Sequence, residues 1–291
     1  MSIYGRIRRT RAKLPGDVLA PQVVIFTASN LLGSSTRAAP PASEALREIE
    51  RRNVPLVLSS RGTRAELEPL RRKIGHAHPF ITEGGGGLFI PDAYFSMRLE
   101  GAKRVGRYLC VPFGRSSQEA GAAIENIARQ AGAEVVRYAE MNARDIASNT
   151  GMTERNAEGS REREFSERFF FAGNADLAAS SFEKIAGQHH WQIRRFEPFC
   201  ELCSGNDEGK AVRYLMRVYR EALRSRVRSV AVGASFEDFT LLAASDQAFI
   251  VSPSSDSFDK KLLSRLPNAA RINLPGAVGW NQALLKVLGR V

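Results

Sequence analysis

The stretch VVIFTASNLL, residues 23–32, is the segment from which the fold of this chain can be inferred. It opens with an almost entirely apolar run, which is typical of a parallel strand buried on both faces. The run ends at Ala28, Ser29 and Asn30, where an α/β enzyme often carries its nucleophile. None of these side chains is a carboxylic acid, thiol, amine or imidazole. The strand end is therefore either an active site of unusual chemistry or one that lacks catalytic groups.

Helix-like and strand-like segments alternate on both sides of the chain's middle. Strand segments are short and apolar, whereas helix segments place apolar residues at intervals of three and four. The predicted strands are 54–60, 78–82, 227–232 and 248–251, and the predicted helices are 42–53, a segment that begins at Thr63, and 210–224. This alternation predicts a doubly wound parallel sheet whose site lies at the carboxyl ends of the strands.

The middle of the chain has a different pattern. Four consecutive glycines, residues 84–87, predict a flexible break, and an edge-like strand follows. Strands and helices then succeed one another with a different spacing as far as residue 203. We therefore expect an α/β core interrupted by an inserted α/β cap. The predicted divisions are a basic N-terminal extension (1–22), the core (23–82 and 204–291) and the cap (83–203).

The composition limits the class of protein. The chain has 291 residues, of which 43% are hydrophobic and 25% charged, so it can bury one large core or two modest ones. No apolar run approaches the roughly 18 residues of a membrane span. Three cysteines in a chain of this length suit a reducing environment, and we expect a cytoplasmic protein. Cys200 and Cys203 form an isolated CxxC, which we interpret as ordinary apolar packing.

The net charge of +11 is the most informative bulk property. A basic chain concentrates anions such as sugar phosphates, nucleic acid or acidic protein surfaces. No aromatic-basic motif of a nucleic-acid-binding module accompanies the charge, so we favour an acidic protein partner or a larger complex over nucleic acid. The densest basic stretch lies in the N-terminal extension and contains Arg6, Arg8, Arg9, Arg11 and Lys13.

Several longer segments resemble one protein family. They are TRAELEPLRRKIGHAHPFITEGGGGLFIP (63–91), AEMNARDIASNTGMT (139–153), REREFSERF (161–169), GNDEGKAVRYL (205–215) and GWNQALLKVL (279–288). With them the chain resembles the haloacid dehalogenase superfamily, in its subfamily with a large α/β cap. More narrowly, it is similar to mannosyl-3-phosphoglycerate phosphatases. The resemblance covers nearly the whole chain, from residue 23 to residue 288.

The resemblance implies a two-step hydrolysis of a phosphate monoester between core and cap. An aspartate after the first strand attacks phosphorus, and a second aspartate two residues later protonates the leaving group and then activates water. A serine or threonine after the second strand and a lysine before a core helix hold the phosphoryl oxygens. Aspartates after the fourth strand help to hold Mg²⁺.

Carried over position by position, most of these groups are replaced. The nucleophile, the proton-transfer aspartate, the phosphate-holding hydroxyl, the lysine and the first metal-binding aspartate correspond to Ala28, Asn30, Ser60, Glu208 and Ala234. The Gly-Thr pair that follows the second aspartate in the family is missing before Leu31. Glu237 and Asp238 remain as carboxylates near the metal position. In the cap, a histidine of the family aligns with Glu201.

These replacements favour a non-catalytic homologue that serves as a binding, scaffold or complex subunit. Alanine cannot attack phosphorus, and asparagine does not exchange a proton near neutral pH. We expect no cofactor, with Mg²⁺ required only if phosphatase activity remains. A sugar phosphate could still bind in the cap cleft, and Ser60, Arg61 and Arg64 form a candidate anion site.

Two enzymatic alternatives stay open. One is a phosphatase of mannosyl- or glucosyl-3-phosphoglycerate with residual or altered chemistry. The other is a hydrolytic site built from serines and carboxylates, among them Ser29, Glu208 and Asp238. No histidine or lysine stands close in sequence to activate a serine, and residual phosphatase chemistry would need an aspartate near residue 28, where the nearest is Asp17. Both alternatives therefore rank below the non-catalytic interpretation.

Overall fold

The computed structural model describes residues 23–32, 42–172, 176–252 and 257–289. The predicted basic extension, residues 1–22, lies outside these ranges. No helix within them has the length and apolar content of a membrane span.

The strands are β1 (Val23–Ala28), β2 (Leu56–Ser59), β3 (Phe80–Thr82), β4 (Gly87–Pro91), β5 (Lys103–Val105), β6 (Tyr108–Pro112), β7 (Val135–Arg137), β8 (Ser166–Phe171), β9 (Gln192–Phe196), β10 (Phe199–Cys203), β11 (Arg228–Gly233), β12 (Gln247–Ser252) and β13 (Ala270–Pro275). The α-helices are α1 (Ser43–Arg51), α2 (Arg64–Lys73), α3 (Ser117–Ala131), α4 (Ala143–Thr150), α5 (Glu154–Arg161), α6 (Asp176–Gln188), α7 (Glu208–Leu223), α8 (Phe239–Ala243), α9 (Lys260–Arg265) and α10 (Gly276–Val287).

A nine-stranded sheet forms the centre of the molecule, in the order β13-β12-β11-β1-β2-β3-β4-β6-β5. Its strands are parallel from β13 to β3 and antiparallel from β3 to β5. The opening strand β1 lies between β11 and β2, and buries residues on both faces as its apolar run predicts. The predicted doubly wound α/β fold is confirmed.

Alternate side chains of β1 pack into different cores on the two faces of this sheet. Ile25 belongs to the cluster that includes residues of α1, α2 and α10, whereas Val24 and Phe26 belong to the cluster with α7 and α8. Trp280 of α10 is fully buried, and its indole N–H donates to the Thr27 hydroxyl at 2.9 Å. Helix α10 is thereby fixed against the strand that leads into the site.

A second sheet has four antiparallel strands in the order β7-β8-β10-β9. Helices α3 and α6 pack on one of its faces through a cluster that contains Ile124, Phe169 and Phe182. Residues of α4 and α5 contribute to a smaller cluster around Tyr138 and Phe199. The capping boxes of α2 at Thr63 and α3 at Ser116 fix where those two helices begin.

The four glycines differ from the sequence prediction. The first three form a buried turn between β3 and β4, and Gly87 is the first residue of β4 in the nine-stranded sheet, so the predicted flexible break was wrong. At Gly85 the backbone has φ +90°, and a Cβ there would overlap the backbone of Asp207. Close packing against the start of α7, rather than flexibility, therefore accounts for glycine at this position.

The boundary that we predicted at residue 83 also differs from the strand pairing. Strands β4, β6 and β5 extend the nine-stranded sheet instead of starting a second unit. The elements associated with the four-stranded sheet begin only with α3 at Ser117. The sequence did not show this, because an antiparallel edge added to a parallel sheet has the same local pattern as the strands of a separate domain.

Candidate functional site

Strand ends from distant parts of the chain meet at one edge of the nine-stranded sheet. Ala28, the last residue of β1, is the register partner of Ser59, the last residue of β2. Gly233 ends the neighbouring strand β11, and Glu208 begins α7 beside them. Ala28 is only 5% exposed, whereas Asn30 is exposed in the short 3-10 helix that follows. The site predicted at the carboxyl ends of the strands is therefore assembled from the predicted segments.

Glu208 is the central polar group of this edge. It is 6% exposed, and its carboxyl accepts a hydrogen bond from the Ser59 hydroxyl. The Asp207 side chain caps α7 by accepting from the Gly209 N–H at 2.8 Å, which fixes the helix start. Burial, together with the nearby Asp238 charge, raises the pKa of Glu208 to about 7 although the hydrogen bond from Ser59 opposes the change. This carboxyl is therefore substantially protonated near neutral pH.

The structure brings Ser59, rather than the predicted Ser60, to Glu208. Ser60 forms a turn instead: its N–H donates to the Ile81 carbonyl, and its hydroxyl oxygen accepts from the Gly62 N–H, both at 3.0 Å. Successive residues of a strand face opposite ways, so only one of two adjacent serines can face α7. The Ser-Ser pair in the sequence predicted a hydroxyl at the end of β2, but not whether Ser59 or Ser60 would supply it.

Asp238 is held by the turn that follows β11. One of its oxygens accepts from the backbone N–H groups of Ala234 and Ser235, at 2.7 and 3.1 Å. The side chain is 6% exposed, and burial raises its pKa above the ordinary value despite these two hydrogen bonds. Asp238 therefore stabilises its own loop, and Ala234 contributes a donor N–H but no side-chain oxygen.

The two arginines of the candidate anion site both have intramolecular partners. Arg61 forms an ion pair with Glu237, and Arg64 lies 3.2 Å from Glu164. The Arg64 guanidinium also lies over the Phe89 ring, 5.5 Å from its centroid. The partner of Arg64, Glu164, lies 100 residues away in sequence. An anion at this site would have to compete with these carboxylates.

The oxygen donors at this edge do not fit a magnesium ion. Mg²⁺ requires near-octahedral oxygen coordination, usually with at least one or two free carboxylates. Glu208 is hydrogen-bonded to Ser59 and substantially protonated near neutral pH, and Asp238 already accepts two backbone N–H groups. Glu237 is paired with Arg61, and the side chains of Ala28 and Ala234 supply no oxygen. The ranges that the structure describes contain no group of three or more histidine, cysteine, aspartate or glutamate side chains arranged to hold a metal.

A buried ionic cluster links the site to the four-stranded sheet. Arg163 and Glu201 are both almost fully buried and lie 2.6 Å apart, and Glu83 is 3.6 Å from the same guanidinium. Arg168 and Arg194 each lie 3.4 Å from Glu201. Burial would raise the pKa of Glu201, but the arginines around it lower it below the ordinary value. Glu201 is therefore charged and neutralised from several directions.

Glu83 connects this cluster to the turn after β3. Its two oxygens accept from the backbone N–H groups of Glu164 and Phe165, at 2.7 and 3.0 Å, and from the Ser166 hydroxyl at 2.5 Å. Sequence reasoning identified the charged run at 161–169 but not its partners. The only signal was the dense alternation of Arg and Glu in a segment that also contains buried aromatic residues.

Comparison with known proteins places this architecture in a class. No protein-family model matches the chain. Its fold is similar to that of a haloacid dehalogenase-like hydrolase from Bacteroides thetaiotaomicron, with a TM-score of 0.61 and 15% sequence identity over 92% of this chain and 99% of that chain. The nine-stranded sheet with its site at the strand ends is thus a haloacid dehalogenase-like fold.

Two relatives with similar sequences identify the family of this chain within the haloacid dehalogenase-like proteins. A glucosyl-3-phosphoglycerate/mannosyl-3-phosphoglycerate phosphatase from Methanococcoides burtonii is 32% identical over 256 residues, which cover 87% of this chain and 90% of the relative. A phosphatase with the same description from Persephonella marina is 26% identical over 92% of this chain and 98% of the relative. The chain belongs to this phosphatase family within the haloacid dehalogenase superfamily, which confirms the resemblance inferred from the sequence.

Proposed function

We propose that this chain is a non-catalytic homologue of the glucosyl- and mannosyl-3-phosphoglycerate phosphatases, which acts by binding rather than by hydrolysis. The observation that carries the proposal is the end of β1, where the family resemblance places the attacking aspartate. The residue there is Ala28, which is 5% exposed and has no nucleophilic atom. Its register partner Ser59 is already hydrogen-bonded to Glu208.

The electrostatics of the strand ends support the same proposal. A phosphate dianion needs a fixed cation or donor groups aimed at its oxygens. Glu208 stands where the resemblance places the phosphate-binding lysine, and its carboxyl becomes negative as the pH rises past about 7. Asp238 adds negative charge nearby, while Arg61 is paired with Glu237. A phosphorylated substrate would therefore be bound weakly at this position.

We further propose that the nine-stranded sheet and its helices form the core and that the segment from α3 to β10 forms the cap. The buried Arg163 contacts Glu201 of β10 and Glu83 of the β3–β4 turn, so it joins the two parts. The Thr63 hydroxyl at the start of α2 donates to the Gly159 carbonyl in α5 at 2.7 Å. In this proposal the cap rests on the core in a fixed position, and any ligand binds to a preformed surface.

A second candidate function is phosphatase activity by altered chemistry. It is favoured by kinship with two phosphatases and by the pair of Ser59 and Glu208. A carboxyl whose pKa is about 7 can accept and return a proton near neutral pH, as a general base must. The substrate would then be a sugar phosphate of the type that the relatives hydrolyse.

Phosphate release from mannosyl- and glucosyl-3-phosphoglycerate and from p-nitrophenyl phosphate, with Mg²⁺ present, separates the two candidates. The non-catalytic proposal expects the wild-type protein and the variants Ser59→Ala, Glu208→Gln and Asp238→Asn to release phosphate at the same background rate. Turnover that is lost in any of these three variants but kept in Arg129→Ala, a change at an exposed helix position, would contradict it and support the second candidate.

A further inference from the structure

An arginine-rich groove lies at the amino ends of the parallel strands, at the opposite end of the sheet from the candidate site. It is open, with a volume of about 740 Å³, and lies where α7 ends and β11 begins. Its lining residues are Arg220, Arg224, Ser225, Arg226, Val227, Arg228 and Asp246. We refer to it below as the arginine groove.

The local sequence explains why these arginines point outward. Arg224 ends α7 with a left-handed backbone, φ +47°, which turns the chain toward β11. In the segment that follows, Val227 and Ser229 are each 2% exposed, whereas Arg226 and Arg228 are exposed. This is the alternation of a strand at the point where it enters the sheet, with apolar and small residues inward and arginines outward.

The charges in the groove are not balanced. Its carboxylate, Asp246, accepts from the N–H and hydroxyl of Ser229 at 2.7 and 2.8 Å and lies 3.5 Å from Arg220. Hydrogen bonds from Ser229 and the nearby arginine charges lower the pKa of Asp246 although burial opposes the change, so it stays ionised. Across the part of the chain that the structure describes, Arg224, Arg226 and Arg228 have no ion-pair partner.

Strand β1, which follows the basic N-terminal extension in sequence, begins beside the arginine groove. Val23, the first residue of β1, is the register partner of Arg228. The 22 residues that precede Val23 include the densest basic stretch of the chain, with Arg6, Arg8, Arg9, Arg11 and Lys13. The basic stretch therefore precedes, in sequence, a strand that begins beside the groove.

We propose that the arginine groove binds the phosphodiester backbone of nucleic acid without sequence preference. Guanidinium groups bind phosphate oxygens through two parallel hydrogen bonds and are weakly hydrated, which suits them to this contact. A basic arm that precedes a folded domain is typical of nucleic-acid binding. The inference concerns a surface remote from the strand-end site and does not depend on whether that site hydrolyses phosphate.

The same observations disfavour the acidic protein partner that composition alone suggested. Stable protein interfaces depend on aromatic or apolar anchors in desolvated pockets. The arginine groove contains no aromatic residue, and its single apolar lining residue, Val227, is buried. Half or more of all protein–DNA hydrogen bonds go to phosphate and sugar oxygens, so we expect the arginines of the groove to contact phosphate rather than to read the sequence.

Fluorescence anisotropy with a labelled mixed-sequence DNA duplex of about 20 base pairs tests the proposal over a series of salt concentrations. The groove variant carries Arg224→Ala, Arg226→Ala and Arg228→Ala. The control variant carries Arg129→Ala, Arg144→Ala and Arg155→Ala, which remove the same charge from exposed helix positions on α3, α4 and α5. Melting curves establish that both variants are folded.

The proposal expects the groove variant to bind at least about 10-fold more weakly than wild type and the control variant to bind within about 2-fold of it. The slope of log affinity against log salt should become shallower by about 3 in the groove variant, because three phosphate contacts are lost. Deleting residues 1–15 should weaken binding further.

Three results would overturn the proposal. The first is equal weakening in the groove and control variants, which would make binding a property of net charge. The second is no binding of the duplex by the wild-type protein at low salt. The third is tighter binding of polyglutamate than of the duplex at equal concentration of charge, which would assign the groove to a carboxylate-rich protein.

Discussion

The two ends of the nine-stranded sheet use their charged residues differently. At the carboxyl ends of the strands, Arg61 and Arg64 are paired with glutamates, and Glu208 is hydrogen-bonded to Ser59. At the amino ends, Arg226 and Arg228 are exposed and unpaired within the described ranges. The charges at one end are therefore satisfied within the fold, whereas the other end has the electrostatics of a binding surface.

This difference shows why the net charge of +11 was a poor guide to the site. Charges that are paired inside the fold are neutralised by their partners and offer little to a ligand, and removing one partner is costly. Only the unpaired charges create a field that an anion can use. Variants at the carboxyl ends of the strands should therefore change the free energy of unfolding, whereas variants at the amino ends should change the affinity for an anionic ligand.

The largest effect on stability is expected from Glu201→Ala. The change leaves Arg163 buried beside Arg168 and without its closest carboxylate, so the free energy of unfolding should fall by about 3–5 kcal/mol. Urea denaturation measures it. The control is Glu183→Ala, which removes the partner of Arg195 in an exposed pair and should cost at most about 1 kcal/mol. Equal losses in the two variants would contradict the buried-cluster account.

The second effect is a pH dependence of the free energy of unfolding that is caused by the titration of Glu208. Its pKa is about 7 in the folded protein against 4.5 for an ordinary glutamate, so between these values the folded state holds a proton that the unfolded state has released. The contribution is therefore fully present below about pH 4.5 and is lost as the pH rises through about 7, by roughly 3 kcal/mol in total.

Glu208→Gln provides the reference for this measurement, because glutamine is neutral at every pH. The difference in the free energy of unfolding between wild type and Glu208→Gln should fall by roughly 3 kcal/mol from pH 4.5 to pH 7.5. Denaturant titrations of both proteins at several pH values give this difference, and the subtraction cancels the contributions of the other titrating groups. A difference that stays constant with pH would show that Glu208 titrates normally and faces water.

A smaller effect distinguishes the two adjacent serines. Ser59→Ala removes the hydroxyl that donates to the buried Glu208 carboxyl and should destabilise the fold by about 1–3 kcal/mol. Ser60→Ala removes an acceptor only from the partly exposed turn at Gly62 and should cost less than about 1 kcal/mol. Thermal melts of both variants test the assignment, and the reverse order would restore Ser60 as the site hydroxyl.

The smallest effect is expected from Arg61→Ala. Arg61 and Glu237 are 33% and 49% exposed, so solvent screens their interaction. Its loss should change the free energy of unfolding by at most about 1 kcal/mol, and the change should shrink at high salt. A loss comparable with that of Glu201→Ala would mean that Arg61 is a structural part of the site.

The sequence predicted the architecture better than it predicted the contacts of the site. The apolar run in β1 and the alternation around it were sufficient for the sheet, because buried parallel strands have a strong local pattern. Ala28, Glu208 and Asp238 were assigned to the strand ends by the family resemblance, position by position. The pairs Arg64–Glu164 and Arg163–Glu201 could not be predicted, since their members lie 100 and 38 residues apart and only tertiary packing brings them together.

Two errors have a common physical cause. The glycines at 84–87 and the strands after them looked locally like a break and a new unit, but long-range pairing with β3 placed them in the central sheet. Likewise, the choice between Ser59 and Ser60 depends on which face of a strand end meets α7. The local sequence pattern does not show which strand the segment after the glycines pairs with, nor which serine contacts α7.

The measurement that tests the central claim most directly is a single-turnover experiment. The protein is mixed in excess with radiolabelled mannosyl-3-phosphoglycerate and Mg²⁺, and both free phosphate and protein-bound phosphate are followed with time. Because Ala28 stands in place of the attacking aspartate, the account predicts no protein-bound phosphate and a release rate equal to that of a blank without protein. Phosphate release that is faster than the blank and is abolished by Glu208→Gln or Asp238→Asn would contradict it.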